Sequence, residues 1–552
     1  MAPNFDPATG FCSETKTFHS FRPSTPLPPA DESISIAKYA VSLLLSSEDC
    51  NPDTSTFLID PNTDESLTFT QFLNRTNSLS LSLRTRFSLA PNDVAYILSP
   101  NSLHLPVLYF ALLSLGVTIS PASPLGSNSD VTHQTQLIKP KIAFATSQTA
   151  HKIPSLPLGT ILIDSPEFLS FLNRSEADTC YANVKQSDVA AILYSSGTTG
   201  KVKAVRLTHR NIIALISGFY YTRGHLDPNE PEPEPESESV SYFTLPMFHI
   251  FGLFMFIRAF SVGETVVLME RFDFEGMLRA VEKYKVSFMP VSPPLIVALV
   301  KSELTKKYDL SSLSLLGCGG AALGKDVTDR FKEKFPNVEI SQGYGLTESG
   351  GGATRMIGPG EFNQHGSVGK LAENMEAKIV DIVTGEALPP GRRGELWLRG
   401  PTIMNGYVGD EKATAETLDS EGWLKTGDLC YFDSEGFLYI VDRLKELIKY
   451  KAYQVPPVEL EQLLQSNPEI VDAAVIPYPD EEAGQIPMAY IVRKPGSNIT
   501  EAQVMDFVAK QVAPYKKIRR VAFINAIPKS PAGKILRREL VDLALSAPSS
   551  KL

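Results

Sequence analysis

VAAILYSSGTTGK, residues 189–201, joins an apolar run to a turn built from small hydroxyl residues and glycine. Val189 to Tyr194 has the continuous apolar character of a strand buried on both faces. Ser195, Ser196, Gly197, Thr198, Thr199 and Gly200 then offer hydroxyls, backbone N–H donors and two glycines that let the chain fold tightly around an anion. The segment is not a Walker A loop. Only two residues separate its glycines, and Lys201 is followed by Val202 rather than Ser or Thr. Composition alone equally permits an ordinary Ser/Thr/Gly turn.

Similar runs recur on either side: VAYIL (94–98), KIAFAT (141–146), GTILID (159–164), TVVLM (265–269) and VSFMP (286–290). Helical spacing over Phe274 to Lys285 and Lys325 to Phe335 alternates with them, so the chain reads as α/β with more than one sheet. Residues 1–35 are polar and proline-rich and read as an irregular arm, and PNEPEPEPESES (228–239) as an acidic surface loop. Beyond Gly422, hairpin-like strands lead to YIVDR (439–443). A new pattern follows: strands VDAAVIPYP (471–479) and PMAYIVR (487–493) and a helix from Thr500 to Val512. A small α+β unit of 444–552 is expected, joined at 442–443 to a large unit of 1–441.

The length of 552 residues suggests three to four structural units at about 150 residues each. With 52 basic and 62 acidic residues the formal charge is −10, which argues against a nucleic-acid binder. Five scattered cysteines form no Cys-x-x-Cys pair, so neither a disulfide scaffold nor a cysteine zinc site is expected. The longest apolar run, Val107 to Val117, is about half a membrane span and reads as a buried helix. The amino terminus lacks the basic and apolar regions of a secretory signal.

Further segments give the glycine loop a context. In order they are LPMFHIFGL (245–253), QGYGLTES (342–349), GWLKTGDL (422–429), VDRLKELIKYKAYQVPPVELE (441–461) and IPKSPAGKILRREL (527–540). Together with SSGTTGKVKAV they resemble the ordered motifs of the adenylate-forming enzymes: acyl-CoA synthetases, luciferases and peptide-synthetase adenylation domains. The resemblance covers nearly the whole chain and is strongest to plant 4-coumarate:CoA ligases and their peroxisomal relatives. It implies a large N-terminal domain of several α/β subdomains, with mixed sheets and a small β-barrel-like part, and a small mobile C-terminal domain.

The resemblance also implies a chemistry. A carboxylic acid reacts with ATP to give acyl-AMP and pyrophosphate, and CoA thiolate then displaces AMP. The loop Ser195–Gly200 would cradle phosphates with Lys203 as a counter-charge. Thr347 would bond the α-phosphate, and Glu348 would help hold Mg²⁺. Asp428 and Arg443 would bind the ribose, while Gln342, Gly343 and Tyr344 line the adenylate site with Tyr344 stacked on adenine. Lys534 would enter during adenylation, and Lys445, Lys449 and Gln454 would approach the nucleotide. Arg271, Lys451 and Ala452 would meet CoA. His249 would contact the acyl carboxylate and gate the site. Phe251, Gly252, Gly319, Gly320, Gly345, Gly351 and Gly352 would line the acyl pocket beside it.

Several positions depart from the family pattern. Pro-Lys-Gly after the loop is Val202-Lys203-Ala204, and Lys-Gly-Phe at the CoA face is Lys451-Ala452-Tyr453. The acyl-pocket segments read Ser349-Gly350-Gly351-Gly352 and Cys318-Gly319-Gly320-Ala321-Ala322-Leu323, and the usual tyrosine is Phe251. These changes remove bulk and predict a wider, less polar pocket. The candidate acids are extended hydroxycinnamate-like aryl acids, medium-chain fatty acids and cyclopentanone precursors of jasmonate. A carrier-protein acceptor and a luciferase-like oxygenase are the alternatives. The chain ends in Ser550-Lys551-Leu552, the form of a peroxisomal address read by an import receptor.

Overall fold

The computed structural model describes residues 5–47, 50–173, 181–196, 202–222, 239–321, 323–451, 453–530 and 533–546. Four sheets organise them. Val189–Ser196 lies in a six-stranded sheet, beside Thr118–Pro121 on one side and Val202–Thr208 on the other. Its antiparallel register pairs Ser195 with Lys203 and Ser196 with Val202, so the two ends of the glycine loop are pinned opposite each other. Residues 197–201 themselves lie outside the described residues.

A nine-stranded sheet has a parallel centre running from Glu339–Tyr344 through Leu315–Cys318, Phe288–Val291, Val240–Phe243 and Thr265–Leu268 to Thr56–Ile59. Short antiparallel strands, among them Thr354–Arg355, close its edges. These central strands are sandwiched by helices, which explains their unbroken apolar character. The helix His104–Ser114 is buried almost all round, as expected from its sequence.

The barrel-like part is a seven-stranded antiparallel sheet that includes Gly394–Arg399, Leu424–Phe432 and Leu438–Arg443. The expectation of an irregular arm at 1–35 is corrected here. Phe11–Cys12 and Thr17–His19 pair with each other and join this sheet through Glu376–Val380. Phe18, fully buried and stacked on Phe432, anchors them. A five-stranded sheet carries the last part of the chain: Ile448–Tyr450, Tyr453–Val455, Ile470–Asp480, Gly484–Arg493 and Arg520–Phe523, covered by the helices Pro457–Ser466, Glu501–Ala509 and Arg537–Ser546. No described helix is long and apolar enough to cross a membrane.

Candidate active site

Strand ends and turns from three of the sheets meet the loop of Lys534 around a cleft of about 720 Å³. At its polar end Ser195 Oγ donates to Glu348 Oε1 (2.9 Å), and Tyr407 Oη donates to the same oxygen (3.1 Å). Lys203 Nζ stands 4.5 Å from the centre of the Tyr407 ring. Thr347 and Glu348 lie on a single 3₁₀ turn, Thr347–Ser349, which directs both side chains toward the strand end that carries Ser195. Tyr407 had no sequence signature. It follows the turn at Gly406 and reaches Glu348 across 59 residues.

Beside this cluster Asp428 and Arg443 are direct cross-strand partners. Arg443 Nε lies 3.3 Å from Asp428 Oδ1, and Tyr344 Oη donates to Asp428 Oδ2 (2.6 Å). Burial pushes the Asp428 carboxyl above the ordinary carboxylate range, while Arg443, Tyr344 and Lys534 pull it back. The phenol of Tyr344 thus orients a carboxylate, a task its sequence context did not suggest.

Lys534 lines the same cleft. Its turn is closed by Ser530 N donating to Lys534 O (2.8 Å) and Lys534 N donating to Ser530 Oγ (3.2 Å). Gly533 adopts φ +81° and packs so closely on Ser292 and Pro294 that a Cβ there would sit 3.2 Å from both. Burial, then repulsion from Arg443, lowers the Lys534 pKa. The same two causes bring Lys445 down to about 8.

The apolar end is walled by His249, Phe251, Phe254, Gly319 and Gly320. His249 caps the helix Ile250–Ser261, its Nδ1 accepting from Phe251 N (3.3 Å). Burial lowers its pKa to about 4, so the imidazole is neutral near pH 7. Among the described residues no three His, Cys, Asp or Glu side chains cluster as a metal cage. Glu348 offers one carboxylate, which fits magnesium held jointly with nucleotide phosphates.

Of the residues singled out in the sequence, Ser195, Lys203, His249, Phe251, Gly319, Gly320, Gln342, Gly343, Tyr344, Gly345, Thr347, Glu348, Gly351, Gly352, Arg443 and Lys534 line the cleft. Asp428 adjoins it through Tyr344 and Arg443. Others stand apart. Gly252 is packed against the Pro246 carbonyl. Lys449 and Gln454 face each other across an exposed hairpin, Lys451 sits at that hairpin's turn with φ +52°, and Arg271 is exposed. Gly197, Thr198, Thr199, Gly200 and Ala452 lie outside the described residues, as do Ser550-Lys551-Leu552. Ser196 is described only in its backbone.

Two of the glycines expected to widen the pocket have close neighbours. A Cβ on Gly351 would sit 2.6 Å from Phe254, and one on Gly352 2.8 Å from Leu215. The room left by these glycines is thus already taken by neighbouring side chains. Two arginines, Arg258 and Arg355, also line the cleft.

The cleft thus joins a polar end, with the Glu348 carboxylate, Arg443 and a buried lysine, to an apolar end, an arrangement compatible with an adenylate-forming site. The comparisons agree with this class. Residues 47–408 match the AMP-binding enzyme family and 459–534 its C-terminal domain. The chain is 63% identical over 558 residues to 4-coumarate–CoA ligase-like 9 of Arabidopsis thaliana, covering 99% of this chain and 98% of that one. It is 44% identical over 559 residues to peroxisomal OPC-8:0-CoA ligase 1 of the same plant, covering 99% of each. Its fold superposes on ATP-bound MatB of Rhodopseudomonas palustris with a TM-score of 0.82 at 22% identity, over 93% of this chain and 99% of that one. The chain belongs to the AMP-binding, adenylate-forming enzyme family. Within it the chain is an AMP-forming acid–thiol ligase of the 4-coumarate–CoA ligase-like group.

Proposed function

We propose that the protein converts a hydrophobic carboxylic acid to its acyl-AMP and then to its CoA thioester. The observation that carries this reading is the convergence of Lys534, Arg443, Glu348 and His249 on one cleft whose other end is apolar. In the first half-reaction the acid's carboxylate attacks the α-phosphorus of ATP and pyrophosphate leaves. Lys534, desolvated and donor-rich, stabilises the charge that develops on the phosphate and carboxylate oxygens. Thr347 and Lys203 bind phosphate oxygens, and Glu348 would hold Mg²⁺, which would neutralise phosphate charge. Asp428, fixed by Tyr344 and Arg443, accepts the ribose hydroxyls. Neutral His249 borders the acyl carbon without competing for the anion.

In the second half-reaction CoA sulfur forms the thioester bond and AMP leaves. We read residues 444–552 as a domain that pivots at 442–443, withdrawing Lys534 and bringing the hairpin of Lys449, Lys451 and Gln454 to the cleft. Arg271 and Ala452 are assigned to the CoA side on sequence resemblance. The acid is one of an extended aryl acid, a medium-chain fatty acid or a cyclopentanone-bearing precursor. Ser550-Lys551-Leu552 is read as the peroxisomal address, in keeping with the name of one relative.

A direct assay tests the reaction. Pyrophosphate release must depend on a carboxylic acid, and thioester formation must further depend on CoA. Release without any CoA-dependent product would point instead to a carrier-protein or oxygen-using relative. For the address, a fluorescent fusion carrying the native carboxy-terminus must enter peroxisomes, and one truncated before Ser550 must stay outside; equal import of both rejects the assignment.

A further inference from the structure

The turn of Lys534 is not the only place where the last part of the chain meets the large unit. The helix Pro293–Lys301 touches it at both ends. At its first turn Pro294, with Ser292, forms the surface on which Gly533 packs. At its last residue Lys301 Nζ donates to Val471 O (2.8 Å) and Ile470 O (3.2 Å), at the start of the strand Ile470–Asp480. The two contacts are about 10 Å apart along the helix axis.

The strand is shaped for the second contact. Its register with Gly484–Arg493 shifts between Ile470 and Asp472, which leaves Val471 out of the ladder. Lys301 supplies a donor where the ladder does not. A second cation stands beside it. Arg330, on the helix Lys325–Lys334, donates from Nη2 to Gln465 O (3.4 Å), in the last turn of the helix Pro457–Ser466. Free carbonyls concentrate negative partial charge at such a helix end. At the start of the Arg330 helix Gly324 faces Gln462, and a Cβ on Gly324 would stand 3.6 Å from that of Gln462.

The acceptors in these contacts are neutral carbonyls. Among the described residues no carboxylate forms an ion pair with Lys301, and Asp472 nearby is paired with Lys529 (2.5 Å). Burial, then repulsion from Arg330, lowers the Lys301 pKa. A hydrogen bond from a cation to a carbonyl biases a two-state equilibrium by about tenfold to a hundredfold, and that is small enough to be released in each cycle. Its geometric effect is larger. A rigid unit tethered at one point can turn about it, whereas one held at three separated points cannot. The junction at 442–443, the seat of Gly533 and the Lys301 contact are three such points.

We infer that Lys301 is a positioning residue for adenylation: it docks the small unit through the carbonyls of Ile470 and Val471, assisted by Arg330 on Gln465, and so keeps Lys534 in the cleft. Lys301 itself does not line the cleft. The inference rests on the ligase reading and the pivot proposed above, and it names the contact that the pivot must release before CoA can react.

The full-length enzyme tests both levels. Gly324→Cys with Gln462→Cys puts two sulfurs on β-carbons at the spacing of a disulfide, so oxidation locks the units as they stand here. The pivot predicts that the locked enzyme still releases acid-dependent pyrophosphate but makes no thioester from preformed acyl-AMP until it is reduced. A locked enzyme that makes thioester sinks the pivot, and acid-independent pyrophosphate release sinks the ligase reading. With both standing, Lys301→Met keeps the stem and removes the donor. It is expected to slow adenylation by up to about tenfold, to leave thioester formation from acyl-AMP unchanged or faster, and to slow disulfide closure in the double-cysteine protein in proportion. A lysine that serves only stability would lower both half-reactions together and leave closure as it was. Unchanged adenylation, equal loss in both half-reactions or unchanged closure each overturns the inference. Should Lys301→Met fail to fold, Arg330→Met is measured the same way, and unchanged closure there overturns it as well.

Discussion

Two lysines of the same small unit have opposite surroundings. Lys534 lines the cleft on a turn packed against Ser292 and Pro294, with its pKa lowered by burial and by Arg443. Lys449 lies on an exposed hairpin, opposite Gln454 and outside the cleft. Both stand in loops or hairpins that sequence alone would call solvated. The difference shows that packing, not residue type, decides which lysine stands in the cleft. Under the proposed pivot, one rigid unit cannot present both faces to one cleft at once, so this arrangement is the one assigned to the adenylation step.

The strongest way to break this comparison is Lys534→Ala. Adenylation should fall by about a hundredfold to a thousandfold, the scale of removing a preorganised charge-stabilising donor. Thioester formation from preformed acyl-AMP should persist. Equal loss in both half-reactions would mean that the lysine is not reserved for one pose. Lys449→Ala should give the reverse pattern at smaller scale, about tenfold in the CoA step with adenylation nearly unchanged, as for one charged hydrogen bond. Single-turnover measurements of each half-reaction decide the matter.

The proposed pivot at 442–443 offers a pH test. Asp442 is buried between the two units, its Oδ2 accepting from Val458 N (3.0 Å) at the start of the helix Pro457–Ser466 and its Oδ1 accepting from Arg443 N (2.7 Å). Arg537 and Glu446 also act on it. Burial raises its pKa from 3.8 to about 6. A raised carboxyl pKa means that the folded protein favours the protonated form. The resulting stability is present below pH 3.8 and is lost as pH rises through about 6. The stability difference between native protein and Asp442→Asn, followed by denaturant unfolding, should therefore shrink over that window and be flat above it. A difference that grows with pH would show the carboxylate to be held charged.

The smallest expected effect is at the fixed end of the comparison. Tyr407→Phe removes one hydrogen bond to Glu348 and leaves the ring beneath Lys203. ATP use should weaken by up to about tenfold. No change in the KM for ATP would mean that Ser195 alone positions Glu348.

Much of the body was legible because buried parallel strands leave continuous apolar runs. VAYIL, KIAFAT and VAAILY all fall on strands of the six-stranded sheet. The site was legible through motifs whose residues are neighbours in the chain, such as Thr347 and Glu348 on one turn. The arm at 5–19 was not, since strands of two or three residues give too short a period to read. Nor were Tyr407 and Arg355, each of which has a partner far along the chain. Arg355 meets Gly218 across 137 residues, and no local pattern encodes such a contact.

The amino-acid sequence by itself determined the class of chemistry, the α/β body and the small terminal unit, because strand periodicity, glycine turns and ordered motifs are local properties. Only the tertiary structure decided which lysine stands in the cleft, which phenol holds which carboxylate, and that two arginines line the cleft. Those outcomes depend on desolvation and on hydrogen bonds between distant segments, and both exist only once the chain has packed.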